Sequence, residues 1–357
     1  MRHPSSSSTS AYNEPRWKFN PAIAEEPDEE QRPTMSEAAV YDTNSGTNLT
    51  SNSSQGFIFI CFPEVHSFDI ASLLMFLLLM AIMFNMILLI IIFIEPRLHH
   101  PMYYFLAMLA VVDILLCTVT TPRALLILWT DYKSITESAC FSQMFFITYW
   151  SAMESSIFLV MAYDRYVAIC KPLHYPTIVT NKLVAKACVF IVVRNLVVAL
   201  PPPVLAARLN YCNSRHIRHC FCENMSVQKL SCSDYSPSSI FGLVCFLLFG
   251  GTDVFLILVS YSLILRTVVV ARSFSAASKA FRTCGSHLIV ICIFYFTAAS
   301  TIVSSGTLQE LPPPVHVIFS LLHHLLPPLL NPLVYGVLTK EIRHSVQRMI
   351  GKIKIHP

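Results

Sequence analysis

Seven long apolar runs divide this chain, at about 68–94, 101–128, 140–168, 183–205, 240–265, 279–304 and 315–337. At 1.5 Å per residue, about 20 helical residues cross the ~30 Å hydrocarbon core of a bilayer, and each run reaches that length. Barrel strands would be half as long and would alternate polar with apolar residues, so the runs are expected as helices. Only 13% of the 357 residues are charged while 54% are hydrophobic. Soluble domains carry about 25% charged residues, so that balance excludes a water-soluble enzyme. The expected fold is all-α, a seven-transmembrane helix bundle over residues 67–337. A net charge of +4 without a dense Lys/Arg block leaves no footprint for nucleic acid.

An odd number of spans puts the two chain ends on opposite sides of the membrane. Arg97, Arg165, Lys171, Lys182, Lys186, Arg266, Arg272, Lys279, Arg282, Lys340, Arg343, Arg348, Lys352 and Lys354 fall on one side, against Lys133, Arg208, Arg215, Arg218 and Lys229 on the other. The positive-inside rule then places the N-terminus outside a plasma membrane crossed several times. Residues 1–66, rich in Ser, Thr and Asn with acidic residues from Glu25 to Glu30, are expected as a disordered extracellular tail. No basic segment followed by an apolar one stands near Met1, so the first span itself is expected to direct insertion, and Met35 is an alternative start. Asn48 and Asn52 begin glycosylation sequons in this tail, and Asn224 begins a third close to the membrane. Residues 338–357 read as a cytoplasmic amphipathic helix and tail, with Val337, Ile342, Val346, Met349 and Ile350 on one face between basic residues.

Ionisable groups inside spans are costly, so Asp113, Glu154, Asp253, Arg123, Arg194 and the pair His323 and His324 each need a role. Asn85, Asp113, Glu154 and Asn331 fall at middle or inner depths of four spans. Converging, they would form a polar pocket for Na⁺, water or a shared proton, or else a hydrogen-bonded knot around a protonated Glu154. Asp164 and Arg165 stand where the third span reaches the cytoplasm, as a charge latch beside Tyr166. Opposite, Asn331-Pro332-Leu-Val-Tyr335 joins a helix-distorting proline to an amide and a phenol.

These strings resemble a rhodopsin-type G-protein-coupled receptor, specifically a vertebrate olfactory receptor. The resemblance is carried by Pro101-Met-Tyr-Tyr-Phe-Leu-Ala-Met-Leu-Ala-Val-Val-Asp113, by Met161-Ala-Tyr-Asp-Arg-Tyr-Val-Ala-Ile-Cys-Lys-Pro-Leu-His-Tyr175, by Ser260-Tyr261, by Lys279-Ala-Phe-Arg-Thr-Cys-Gly-Ser-His-Leu288 and by Pro327-Pro-Leu-Leu-Asn-Pro-Leu-Val-Tyr-Gly336. It spans residues 57–350. His219-Cys-Phe-Cys-Glu-Asn-Met225 resembles the class I, or fish-like, branch.

The resemblance implies a Cys140–Cys222 disulfide tying the second outer loop to the third span, and a Cys212–Cys232 disulfide within that loop. Cys61 and Cys220 are left over, and a bridge between them is one way to close both. His216, His219, Cys220 and Cys222 also form a soft-metal set, although Cys222 is then needed twice and the spacing fits no standard zinc motif. The expected reading is therefore no metal there. A cavity for a small ligand is expected in the outer half, where Thr148, Ser151 and Ser155 share one helical face. By resemblance Cys245, Phe249, Tyr295, Phe296 and Ile302 join them, with Ser320 or His324 from the seventh span. Relatives that take small carboxylic acids place an arginine at the outer end of the sixth span. This chain reads Ile302-Val-Ser-Ser-Gly-Thr-Leu308 there, so a neutral odorant is expected.

The implied activity is ligand-driven coupling to a stimulatory olfactory-type G protein through Arg165, Tyr261 and Arg266, raising cyclic AMP, with no enzymatic step. The alternatives are a transporter or channel, for which internal repeats and glycine-broken helices are lacking, an intramembrane hydrolase using Asp113 and Glu154, and a metabolite sensor of the same fold outside the nose.

Overall fold

The computed structural model describes residues 56–62, 67–130, 132–212, 215–270, 274–307 and 312–355. Among them, seven helices are long and apolar enough to cross a membrane. We label these α1 (Ser67–Ile94), α2 (Pro101–Thr130), α3 (Glu137–Cys170), α4 (Asn181–Ala199, continued by Pro201–Ala206), α5 (Ser236–Cys245, continued through a π-helical turn at Phe246–Gly250 into Gly251–Val270), α6 (Phe274–Ile302, ending in a second π-helical turn at Val303–Thr307) and α7 (Pro313–Leu338). An eighth helix, α8 (Lys340–Ile355), follows.

Local chemistry sets several boundaries. Thr136 and Thr180 cap α3 and α4 by accepting the N–H groups of Ala139 and Leu183 at 3.4 and 3.3 Å. Inside α7, Pro328 and Pro332 lack the N–H groups that the carbonyls of His324 and Pro328 would otherwise accept. Neighbouring helices supply replacements. The Cys117 thiol of α2 lies 3.8 Å from the His324 carbonyl, and Asn85 Nδ2 of α1 donates to the Pro328 carbonyl at 2.7 Å. Asn85 therefore departs from the expected polar pocket: its amide repairs a proline-broken helix rather than meeting a carboxylate.

Two apolar clusters fill the bundle. The inner one includes Leu106, Leu109, Ile157, Phe158, Met161, Val290 and Tyr335, and Ile342 of α8 packs into it. The outer one includes Leu125, Cys140, Met144, Phe221, Val317 and Leu321. Ile342 and Val346 of α8 thus share one face, as the sequence pattern implies, but pack against the bundle, whereas Val337 ends α7 and is exposed. Arg348 anchors α8 to Glu95 at the end of α1, at 3.1 Å.

The last residues of the expected tail are ordered. Gly56–Phe59 forms a strand, β1, antiparallel to β2 (Ser134–Thr136) and parallel to β3 (His216–Ile217). Phe57 and Phe59 turn inward and Ile58 outward, as a half-buried strand requires. A Cys61–Cys220 disulfide follows the strand. Backbone pairing and a covalent tie together offset the entropy that a free tail would retain. The expectation of disorder fails for residues 56–62; Asn48 and Asn52 lie outside the described residues. So, among the described residues, a helix bundle carries one small three-stranded sheet.

Candidate functional site

Four groups of functional side chains are ordered by depth. Outermost is the cap. Cys140 bonds to Cys222 and Cys212 to Cys232, so the second outer loop is fixed to the top of α3 and folded on itself. Both Cys220 and Cys222 are consumed in disulfides, which removes the thiolates that the metal reading of His216, His219, Cys220 and Cys222 required. Below lies Glu223, which accepts the Ser226 N–H at 2.7 Å and caps a short helix at Asn224–Gln228. Asn224 is half-buried, accepts from Gln228 at 2.9 Å and lines a cavity. Arg123 donates to the Ser134 carbonyl and lies over the Phe59 and Tyr132 rings, which gives it a structural role.

The cap titrates. Complete burial of His219 pushes it down to about 3, so its ring stays neutral near pH 7. Burial raises Glu223, but His316, 3.8 Å away, His219 and the Ser226 hydrogen bond outweigh it and hold the carboxyl down to about 2. Between its ordinary value of 6.5 and about 3, His219 takes a proton only in the unfolded chain, so stability falls as pH drops through that window. Glu223 contributes fully above 4.5 and loses its contribution only as pH approaches about 2, so it is silent in mild acid. From pH 7.5 to 5 the thermal midpoint of the purified protein is therefore expected to fall, with His219 accounting for roughly 2 kcal/mol of the lost stability at 1.36 kcal/mol per pH unit. His219→Leu is expected to flatten the profile, and an equally steep one in that variant would refute the assignment.

Beneath the cap is a cavity of about 290 Å³, lined by α3, α4, α5, α6 and His323 of α7, with Asn224 above. Of the residues named from sequence and resemblance, Thr148, Ser151, Ser155, Cys245, Phe249 and Tyr295 line it. Ile302, Ser320 and His324 are not among its lining residues, and Phe296 is 73% exposed on the outside of α6. His324 instead points its Nδ1 at the Ser320 carbonyl at 2.7 Å, and its ring meets Phe221 under the cap. One residue is about 100° of helix, which is why His323 faces the cavity in its place.

The wall missed from sequence is α4, which contributes Arg194, Asn195, Val198 and Pro202. Arg194 makes a bidentate pair with Asp253 of α5, at 2.8 and 3.0 Å. It also donates to Ser156 at 2.6 Å and to the Phe249 carbonyl in the π-turn at 3.0 Å. Ser155 donates to Asp253 at 2.7 Å and contacts the Tyr295 hydroxyl at 3.0 Å. One ion pair thus joins α3, α4, α5 and α6 along the cavity floor. The available signal was two opposite lone charges at matching depths.

A polar layer separates the two apolar clusters. Asn331 donates to both carboxylate oxygens of Asp113, at 3.0 and 3.2 Å. Glu154 is fully buried, its oxygens meet no hydrogen-bond donor, and its charged neighbour is Asp113. Asp113 has Asn331 as its donor and Glu154 has none, so a proton or a small cation would compensate the charge of this enclosed pair.

At the inner end Arg165 lies 3.9 Å from Asp164, which accepts the Tyr175 hydroxyl at 2.8 Å. Tyr261 bonds to His287 of α6, and Tyr335 is fully buried. Tyr166 is half-buried under Lys171, whose Nζ lies 6.0 Å from the ring centre. Pro332 leaves the Pro328 carbonyl to Asn85, so helix-seven repair sits directly above this inner surface.

A family model described as olfactory receptor matches residues 74–353. Olfactory receptor 56A4 of Homo sapiens is 44% identical over 299 residues, covering 83% of this chain and 96% of that one. Olfactory receptor 56B34 of Mus musculus is 43% identical over 315 residues, covering 88% and 97%. Squid rhodopsin matches with a TM-score of 0.68 at 14% identity over 83% of this chain and 88% of its own, a likeness of fold.

Proposed function

Since the chain belongs to the olfactory receptor family, we propose that it is a class I receptor for small neutral odorants that activates a stimulatory olfactory-type G protein and raises cyclic AMP. Membership makes it an odorant-sensing G-protein-coupled receptor and multi-pass membrane protein with a small-molecule ligand, and not an enzyme. The observation that carries the ligand reading is the cavity itself: apolar walls around one Arg–Asp pair whose charges cancel. A volume of about 290 Å³ stands at the small end of the ~300–1,000 Å³ usual for ligand sites. A carboxylate ligand would find Arg194, the one cation among the described lining residues, already engaged.

The cavity touches α3, α5 and α6 together, so a ligand there acts on how these helices pack. It shifts the equilibrium only as far as it binds one packing better than the other. In the active packing the inner end of α6 moves outward, Tyr261 leaves His287, and Arg165 leaves Asp164 to meet the G protein. Asp113 and Glu154 would hold a Na⁺ ion or a shared proton in the closed packing, supplying the positive charge that this layer lacks. The basic inner loops support an extracellular N-terminus at the plasma membrane, where Asn48 and Asn52 would carry glycans.

The test is cyclic AMP accumulation in cells exposed to an odorant panel, comparing the wild type with Arg165→Ala at matched surface levels. The variant is expected to lose the response. Equal responses would overturn the coupling role.

A further inference from the structure

The hydrogen-bonding capacity of the cavity floor is lopsided, and the imbalance specifies a ligand class. Four hydroxyl side chains line the cavity: Thr148, Ser151, Ser155 and Tyr295. Thr148 gives its hydrogen to the Met144 carbonyl at 2.9 Å and Ser155 gives its own to Asp253 at 2.7 Å. The 3.0 Å contact between Ser155 and Tyr295 must then run from the phenol to the serine. Tyr295 is left with an oxygen that only accepts. Ser151 is the exception, because its buried hydroxyl has no partner. Arg194, with five N–H groups, commits four to Ser156, Asp253 and Phe249. Asn195 spends its amide on Met153 and Ser156. Asn224 keeps an amide on the loop above, away from this floor.

We propose that this floor selects a neutral alcohol or phenol, whose oxygen accepts from Ser151 and whose hydrogen is given to the free oxygen of Tyr295. Those partners lie together, since Ser151 stands four residues before Ser155, which Tyr295 contacts, on one face of α3. A ketone, ester or ether satisfies Ser151 but leaves the Tyr295 acceptor unpaired. A carboxylate adds like charge beside Asp253. An ammonium meets acceptors, yet enters an apolar site whose single anion is already neutralised. The inference rests on the reading of this cavity as the odorant site and narrows it.

Both are tested with matched probes on octyl, p-menthane and ethylbenzene skeletons, each as alcohol or phenol, methyl ether, ketone, carboxylic acid and primary amine. Cells expressing the full chain are read for cyclic AMP and for protection of Cys245, which lines the cavity, from an apolar maleimide, with Cys245→Ser as the blank. On each responding skeleton the hydroxyl compound is expected to be about tenfold more potent than its ether, the worth of one well-placed hydrogen bond. Tyr295→Phe should reduce that ratio to within about threefold while the ether still acts, and Ser151→Ala should weaken alcohol and ether alike. An ether, ketone, acid or amine as the strongest probe would overturn the proposal, as would an unchanged ratio in Tyr295→Phe. Hydroxyl probes that protect Cys245 without raising cyclic AMP would uphold it and overturn the coupling reading. A surface receptor in which no hydroxyl probe protects Cys245 would overturn it.

Discussion

Arg194→Met is expected to remove the receptor from the cell surface. The guanidinium is 11% exposed and the Asp253 carboxylate 3%, so the variant leaves a carboxylate buried with Ser155 as its remaining donor. Breaking a buried pair from one side costs about 3–5 kcal/mol. That is a large share of the ~5–15 kcal/mol that holds a typical domain together. Replacing both charges, as Arg194→Met with Asp253→Leu, removes the orphaned charge together with its desolvation cost, and surface level should return toward the wild type. Flow cytometry on a tagged receptor and the midpoint of thermal unfolding in detergent report the two effects. A single variant at wild-type surface level would show that the pair has no structural weight.

The paired substitution Cys140→Ser with Cys222→Ser is expected to be nearly as damaging, costing about 2–5 kcal/mol. Both cysteines are changed because a lone thiolate at either position would attack the neighbouring Cys61–Cys220 bond. The Cys140–Cys222 bond spans 82 residues and fixes the loop carrying Asn224 over the cavity, so ligand response should vanish as well as stability. Cys212→Ser with Cys232→Ser opens a link spanning only 20 residues. Loop-closure entropy alone makes that smaller by about 1 kcal/mol. Surface expression should therefore rank the Cys212/Cys232 variant above the Cys140/Cys222 variant, and the reverse order would contradict the assigned roles.

How far each feature was legible depended on its range in the chain. The spans are written as apolar runs, and membrane solvation leaves such a run little choice but helix. The β1 strand was not read: Phe57-Ile58-Phe59-Ile60-Cys61 is a short apolar run without polar alternation, inside a segment expected to be disordered. Serine and asparagine counts in the preceding segment hid it. Arg194 and Asp253 stood out as expensive, but 59 residues separate them, and their meeting depends on how α4 and α5 are rotated. The π-helical turn that sets the rotation of α5 has no sequence period of its own. The same uncertainty of phase put His324 where His323 belongs and turned Phe296 inward. Asn85 carried the opposite lesson: the missing N–H of Pro332 is plain in the sequence, and it called for a donor from a neighbouring helix.

A ligand in the cavity beneath the cap is expected to drive the G protein. Odorant-stimulated nucleotide exchange on a stimulatory G protein should be measured in membranes carrying the wild type or Ala298→Trp, which fills the cavity from its α6 wall. At equal receptor density and equal basal exchange, the filled receptor is predicted to need about 100-fold more odorant, a loss of about 2.7 kcal/mol. The same half-maximal concentration in both membranes would place the ligand elsewhere.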